Sequence, residues 1–180
     1  KLGFLTPKSF LVRTEKDLVN NSLAPPYILK PCYSRAAQQI IKVYSKKIPK
    51  LNINPNNPFV AQEWLQGKKY CTYSISQNGQ ITAHAVYPVD YSIDGNSCLN
   101  FTSIEHPQIE EWVTEFVSKE KFTGQIAFDF IEVYGKGLYA IECNPRGTSG
   151  IHLYQKKDNL PSAFFCTNQK PIFPQKKFSK

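Results

Sequence analysis

The chain has 180 residues, room for one or two small domains with a proper buried core. Hydrophobic residues make up 41% and aromatics 13%, which excludes a disordered chain; no apolar run approaches the roughly 20 residues of a membrane-spanning helix, and no signal peptide opens the sequence. A formal charge of +8 favours anionic partners, while five scattered cysteines without a CxxC pair argue against disulfide or zinc frameworks and for a reducing cytoplasm.

Thr14 as N-cap, with Asp17 at the capping-box position, predicts a short helix over 15–22. "YILKP" (27–31) reads as a strand stopped by proline. Ser34 then caps a predicted helix through "RAAQQIIKVYSKK", where Ala37, Ile40, Ile41 and Tyr44 recur at helical spacing. The segment 47–58, with three prolines and four asparagines, is a loop. "FVAQEWLQGKKY" (59–70) is a strand running into a short linker, and "YCTYSISQNGQITAHAVYP" (70–88) is a hairpin turning on Asn78-Gly79. After a loop over 90–98, "HPQIEEWVTEFVSKE" (106–120) is an amphipathic helix with Pro107 near N1 and Ile109, Trp112, Val113, Phe116 and Val117 on one face. The polar, proline-punctuated tail holds one weak helix near 158–167. Helices alternate with antiparallel hairpins, which makes the fold class α+β.

The positive excess gathers in Lys42, Lys46, Lys47 and Lys50, and in Lys176, Lys177 and Lys180. Such runs are usually solvated faces. Nucleic acid would require a basic stripe interleaved with aromatics and a recognition motif, and none appears, so a phosphate-bearing small ligand suits the excess better.

"QIAFDFIEVYGKGLYAIECNPR" (125–146) puts one carboxylate inside each of two apolar strands. A turn centred on Gly135-Lys136 sets Asp129 opposite Glu142, with Cβ atoms about 4.5–5.5 Å apart. Like charges so placed repel and call for a cation. Alternation puts Asn144 on the face of Glu142, and Arg146 repeats the step. Two carboxylates and an amide are hard oxygen ligands of the kind that hold Mg²⁺ beside substrate phosphates, and Arg146 has the fork to grip a phosphate oxygen. Spacing alone leaves a second reading open, a surface strand whose acids face water and whose Asn-Pro-Arg is a turn. The register depends on loop length, and a bulge would break it.

"GQIAFDFIEVYGKGLYAIECNPRGTSG" resembles the metal- and phosphate-binding strands of the ATP-grasp superfamily, the module found in carbamoyl-phosphate synthetase and biotin carboxylase. The family pattern of an acid, then Glu-x-Asn and Arg two residues on, matches Asp129, Glu142, Asn144 and Arg146 in order. The resemblance implies two α+β lobes with antiparallel sheets holding ATP between them, with approximate bounds 1–65 and 66–180. It implies ATP and Mg²⁺ (or Mn²⁺) as cofactors, with Asp129, Glu142 and Asn144 on the metal and Arg146 as the catalytic residue. It assigns Lys30, at the end of "YILKP", to the inner phosphates, with Arg35 as an added clamp. Gln62, Glu63 and Leu65 correspond to the linker whose main chain reads adenine.

The chain departs from the family in two places. "CYSRAAQQ" contains no glycine where relatives carry a glycine-rich lid, although a helix starting near Ser34 would offer an anion site. Lys69 stands where relatives often have the glutamate that binds ribose, which leaves Glu63 as the candidate. The resemblance also implies an N-terminal α/β domain preceding this module in cis, so the sequence is expected to be either a domain fragment, the preferred reading, or a naturally reduced version.

The reaction implied is ATP-dependent joining of a small-molecule carboxylate to an amine (or a thiol) through an acyl-phosphate. The alternatives are a non-catalytic nucleotide-binding module and a fragment of a larger carbamoyl-phosphate-synthetase-like enzyme. A homodimer is compatible with each. His84, His106 and His152 read as structural, and Cys143 as core.

Overall fold

The computed structural model describes residues 4–20, 22–34, 39–45, 47, 50–89, 92–93, 97–98, 102–165 and 170–175. The chain forms two compact units, Pro7–Leu65 and Lys1–Thr6 with Gln66–Lys180.

The first unit contains β1 (Ser9–Val12), α1 (Glu15–Val19), β2 (Tyr27–Pro31), β3 (Ile41–Val43) and β4 (Phe59–Glu63), with the strands in the antiparallel order β1-β4-β2-β3. Thr14 Oγ1 accepts from the Asp17 N–H at 3.3 Å while Asp17 Oδ2 accepts from the Thr14 N–H at 2.8 Å, a reciprocal cap. The helix ends at Val19, earlier than periodicity predicts. Its one buried residue, Leu18, joins Val12, Tyr27, Leu29, Val43, Leu51, Phe59 and Ala61 in the core of this unit.

The helix expected after Ser34 is not what the described residues form. Ile41 and Val43 pair with Leu29 and Tyr27 of β2, so this stretch is a strand. Alternation explains the outcome: Val43 is buried while Lys42 between the two is exposed, and β-branched residues fit a pleated, half-buried surface. Arg35 lies outside the described residues.

The second unit is built on β5 (Lys68–Gln77) and β6 (Gln80–Pro88), joined at Asn78 and Gly79, whose φ values of +49° and +81° are those of the expected turn. A small ribbon, β7 (Ser92–Ile93) with β8 (Ser97–Cys98), occupies part of the predicted loop. Then come α2 (Pro107–Lys119), β9 (Gly124–Val133) and β10 (Gly137–Asn144), which completes an antiparallel sheet of order β10-β9-β5-β6. The weak terminal helix is replaced by short 3-10 turns at Lys156–Asp158 and Leu160–Phe164, and a further one covers Ser149–Leu153.

Pro107 sits in the first turn of α2, and His106 caps it, accepting from the Ile109 N–H at 3.4 Å. Ile109, Val113 and Val117 are fully buried against Ile126, Phe128 and Phe130 of β9. Burial of each of these side chains contributes about 1.5–3 kcal/mol. Trp112 packs edge-on to both phenylalanines and against Phe4. The opposite face of the sheet is covered over β5 and β6 by the 3-10 turns, where Tyr73 and Ile75 meet Leu160 and Ala163. Gly150 makes the approach close, since a Cβ there would stand 2.5 Å from the Cβ of Tyr73.

His84 on β6 is buried, with Nδ1 2.9 Å from Ser74 Oγ, and burial lowers its pKa from 6.5 to about 4. The folded protein therefore binds fewer protons than the unfolded chain between those two values. Stability is fully present above pH 6.5 and falls as pH drops toward about 4, by on the order of 3 kcal/mol across the window. Urea midpoints at pH 7 and pH 5 should differ, and His84→Asn should flatten that difference.

Candidate metal and phosphate site

Two local departures from a plain hairpin put the acids together. The connection between β9 and β10 is three residues long, Tyr134 to Lys136, so Val133 pairs with Gly137 and Phe130 with Ala140. That turn alone would place Asp129 opposite Ile141. A bulge at Ile141 shifts the register, and Glu142 pairs with Asp129, Cys143 with Phe128 and Asn144 with Ala127. The pairing expected from a turn centred on Gly135-Lys136 is thus reached by another route. Instead of breaking the register, the bulge creates it.

The same bulge reverses the sides of β10. Leu138 and Ala140 pack into the α2 core, but Glu142 and Asn144, although still even-numbered, share the face of Asp129 and Ala127. On β9, Ile126, Phe128 and Phe130 point to α2, which leaves Asp129 on the other side. Glu142 is exposed there, and Asp129 and Asn144 are partly exposed. Cys143, expected in the core, is exposed on the sheet's outer strand.

A polar chain links the hairpin's last residues. Asn144 Nδ2 donates to Glu142 Oε1 at 3.1 Å, Arg146 Nη2 donates to Asn144 Oδ1 at 3.0 Å, and Arg146 Nη1 donates to the Gly147 carbonyl at 3.2 Å. The Arg146 N–H also donates to the Asn144 carbonyl at 2.8 Å, a tight turn around Pro145. Among the described residues no three His, Cys, Asp or Glu side chains form a metal cluster. The donor set is instead two carboxylates and an amide, oxygen ligands that suit Mg²⁺ when substrate phosphates and water complete its shell.

In the first unit, Lys30 lies on β2 opposite Val60, partly buried. Gln62 is buried in the central strand β4, paired on one side with Ser9 and on the other with Ile28, and its Nε2 donates to Ser9 Oγ at 3.2 Å. The Glu63 N–H is committed to the Lys8 carbonyl at 2.8 Å, and Glu63 Oε2 accepts from the Lys8 N–H at 3.3 Å. Trp64 and Leu65 follow the strand, with Leu65 buried.

A family model described as ATP-grasp domain matches residues 2–150. The chain belongs to the ATP-grasp family. Solved structures agree on the fold. Phosphoribosylamine–glycine ligase from Thermotoga maritima superposes with a TM-score of 0.70 at 16% identity, covering 98% of this chain and 54% of that one. N5-carboxyaminoimidazole synthetase from Staphylococcus aureus, complexed with ADP, gives 0.68 at 16% identity, with 95% and 50% covered. The biotin carboxylase domain of Hydrogenobacter thermophilus 2-oxoglutarate carboxylase, in complex with MgADP and bicarbonate, gives 0.65 at 14% identity, with 82% and 38% covered. The ATP-grasp chain thus spans about half the length of these structures or less. Curated proteins gave no match.

One residue that positions Asp129 in this ATP-grasp domain escapes sequence reasoning. The β5–β9 ladder is interrupted between the pairs Cys71–Asp129 and Ser74–Ile126. Thr72, fully buried, fills the gap: its Oγ1 accepts from the Phe128 N–H at 2.9 Å. The partners lie 56 residues apart, so no local pattern announces the contact. Thr72→Val keeps the shape but orphans that N–H, and should cost about 1–3 kcal/mol in urea unfolding.

Proposed function

We propose that this ATP-grasp domain binds Mg-ATP and serves an ATP-dependent ligase that joins a carboxylate to an amine, or to a thiol, through an acyl-phosphate. The observation carrying the proposal is the face-to-face pairing of Asp129 with Glu142, with Asn144 in register beside them and Arg146, just past the strand end, hydrogen-bonded to Asn144. Asp129, Glu142 and Asn144 are the proposed metal ligands. Mg²⁺ or Mn²⁺, held by these residues, would supply charge neutralisation to the nucleotide phosphates.

The remaining roles fall to side chains and main chain. Arg146, whose guanidinium presents paired donors, orients and neutralises the phosphoryl group that is transferred. A carboxylate oxygen of the substrate attacks the γ-phosphorus, ADP leaves, and the acyl-phosphate is then opened by the amine or thiol with release of phosphate. Lys30 is assigned to the inner phosphates. Adenine contact is assigned to the main chain following β4, where Trp64 and Leu65 lie beyond the ladder that engages Gln62 and Glu63. Free thiols at Cys32, Cys71 and Cys143 suit a reducing compartment such as the cytoplasm.

A second reading, a nucleotide-binding module without turnover, draws on the absence of glycine from 32–39 and on Lys69 at the position relatives often give to glutamate. Calorimetry with MgATP and phosphate release with a panel of carboxylates and amines separate the two. Binding without release under any condition favours the module.

Glu142→Gln and Asn144→Ala should abolish Mg-dependent ATP binding while leaving the fold intact. Because Glu142→Gln also removes one member of a like-charged pair, the ligand-free variant should unfold no more easily than the parent, and by thermal denaturation should gain up to about 1 kcal/mol. Unchanged MgATP affinity in either variant removes the metal assignment. Lys30→Ala should weaken nucleotide binding by about tenfold, the size of a lost charge-assisted phosphate contact.

A further inference from the structure

The Asn144 amide is engaged at both ends by side chains of its own hairpin, and the two engagements have different consequences for a metal. Its nitrogen donates to Glu142 Oε1 at 3.1 Å, which leaves the oxygen as the only atom able to ligate a cation. That oxygen accepts from Arg146 Nη2 at 3.0 Å, while Nη1 of the same guanidinium is held by the Gly147 carbonyl at 3.2 Å. Arg146 therefore takes one of the two lone pairs of the oxygen that the metal requires and sets a positive charge 3.0 Å from it, which opposes a second cation there.

We infer that Asn144 is a two-position switch, its oxygen held by Arg146 when phosphate is absent and released to a divalent ion once a phosphate draws the guanidinium away. The inference rests on the metal and phosphate roles proposed above and adds a coupling between them. The competition is unequal for a physical reason. Both present acceptors of Arg146 are neutral, and a guanidinium's bonds to an ionised phosphate are about twice as strong. The planar fork that now spans Asn144 Oδ1 and the Gly147 carbonyl matches two phosphate oxygens equally well. The Glu142 contact persists through the exchange and keeps the freed oxygen oriented, so no backbone motion is needed. Phosphate and metal then bind cooperatively, and by linkage each strengthens the other by the same factor.

The test is Mn²⁺ titration followed by electron paramagnetic resonance, without nucleotide, on the intact chain and on Arg146→Ala and Arg146→Lys. Calorimetry adds the affinity of each protein for ADP in Mn²⁺ and in EDTA. Both variants should take up Mn²⁺ alone about threefold more tightly than the parent, the scale of one hydrogen bond at a partly exposed site, and the metal's enhancement of ADP binding should shrink by a similar factor. Lysine retains the charge but cannot bridge Asn144 and Gly147 with a fixed fork. If Arg146→Ala gains and Arg146→Lys does not, Arg146 acts by simple repulsion and the switch is overturned. It is also overturned if neither variant gains. Asp129→Asn runs in parallel. Loss of Mn²⁺ uptake there leaves the metal site standing whatever Arg146 shows, whereas undiminished uptake sinks the site and the switch together.

Discussion

A single extra residue, Ile141, decides what the hairpin can do. Upstream of it, β10 sends Leu138 and Ala140 into the core beneath α2. Downstream, Glu142 and Asn144 would follow them if the strand were regular, and a carboxylate would be buried among phenylalanines at a cost of several kcal/mol. The bulge reverses the alternation at that point, so one short strand contributes apolar side chains to the core at one end and oxygen ligands to the open face at the other. Bulges are a common means of re-aiming a side chain near a functional site, and here the re-aimed residue is the one that meets Asp129.

Placing two carboxylates opposite each other works against stability, and the surroundings limit the damage without removing it. Glu142 receives an amide N–H from Asn144, whose oxygen is polarised by Arg146, so positive charge is relayed toward the acid without a direct ion pair. The 3-10 turns cover β5 and β6. On that face Glu142 is exposed and Asp129 partly exposed, so the acids keep part of their hydration, and repulsion at high dielectric is modest. In the metal role proposed for these residues, the closeness of the two acids is what would draw a cation.

Features specified by neighbouring residues were legible in the sequence. Asn78-Gly79 dictates its turn because both positions need positive φ, Thr14 with Asp17 caps α1 within one turn, and the apolar stripe of α2 fixes which face is buried. The pairing of Asp129 with Glu142 was legible for a different reason, since two carboxylates at those positions of a short hairpin fall close to opposite each other. What escaped depends on distant partners. Ile40, Ile41 and Tyr44 satisfy helical spacing, yet Ile41 and Val43 become β3 because Leu29 and Tyr27 offer an unfilled strand edge. Thr72 looks like any strand threonine until Phe128 arrives from across the sheet. The bulge at Ile141 has no residue signature of its own, because it is set by the mismatch between a three-residue turn and the faces that Phe130 and Asp129 must occupy.

The four residues proposed for metal and phosphate chemistry span only Asp129 to Arg146, in one hairpin held by one helix. Their mutual geometry is therefore a property of the second unit, fixed by the burial of Phe128 and Phe130 against α2 and by the β5 contacts of β9. Selection of the acid and of its nucleophile has no such local source. In the proposed reaction the hairpin would engage the phosphates of the nucleotide, which are the same whichever carboxylate receives the phosphoryl group. On that proposal, substrate choice would reside in residues outside 129–146, which can vary without disturbing the bulge, the acid pair or the Asn144–Arg146 contact. Such a division is compatible with a fold shared by solved structures as unlike as a phosphoribosylamine–glycine ligase and a biotin carboxylase domain, at identities of only 14–16%.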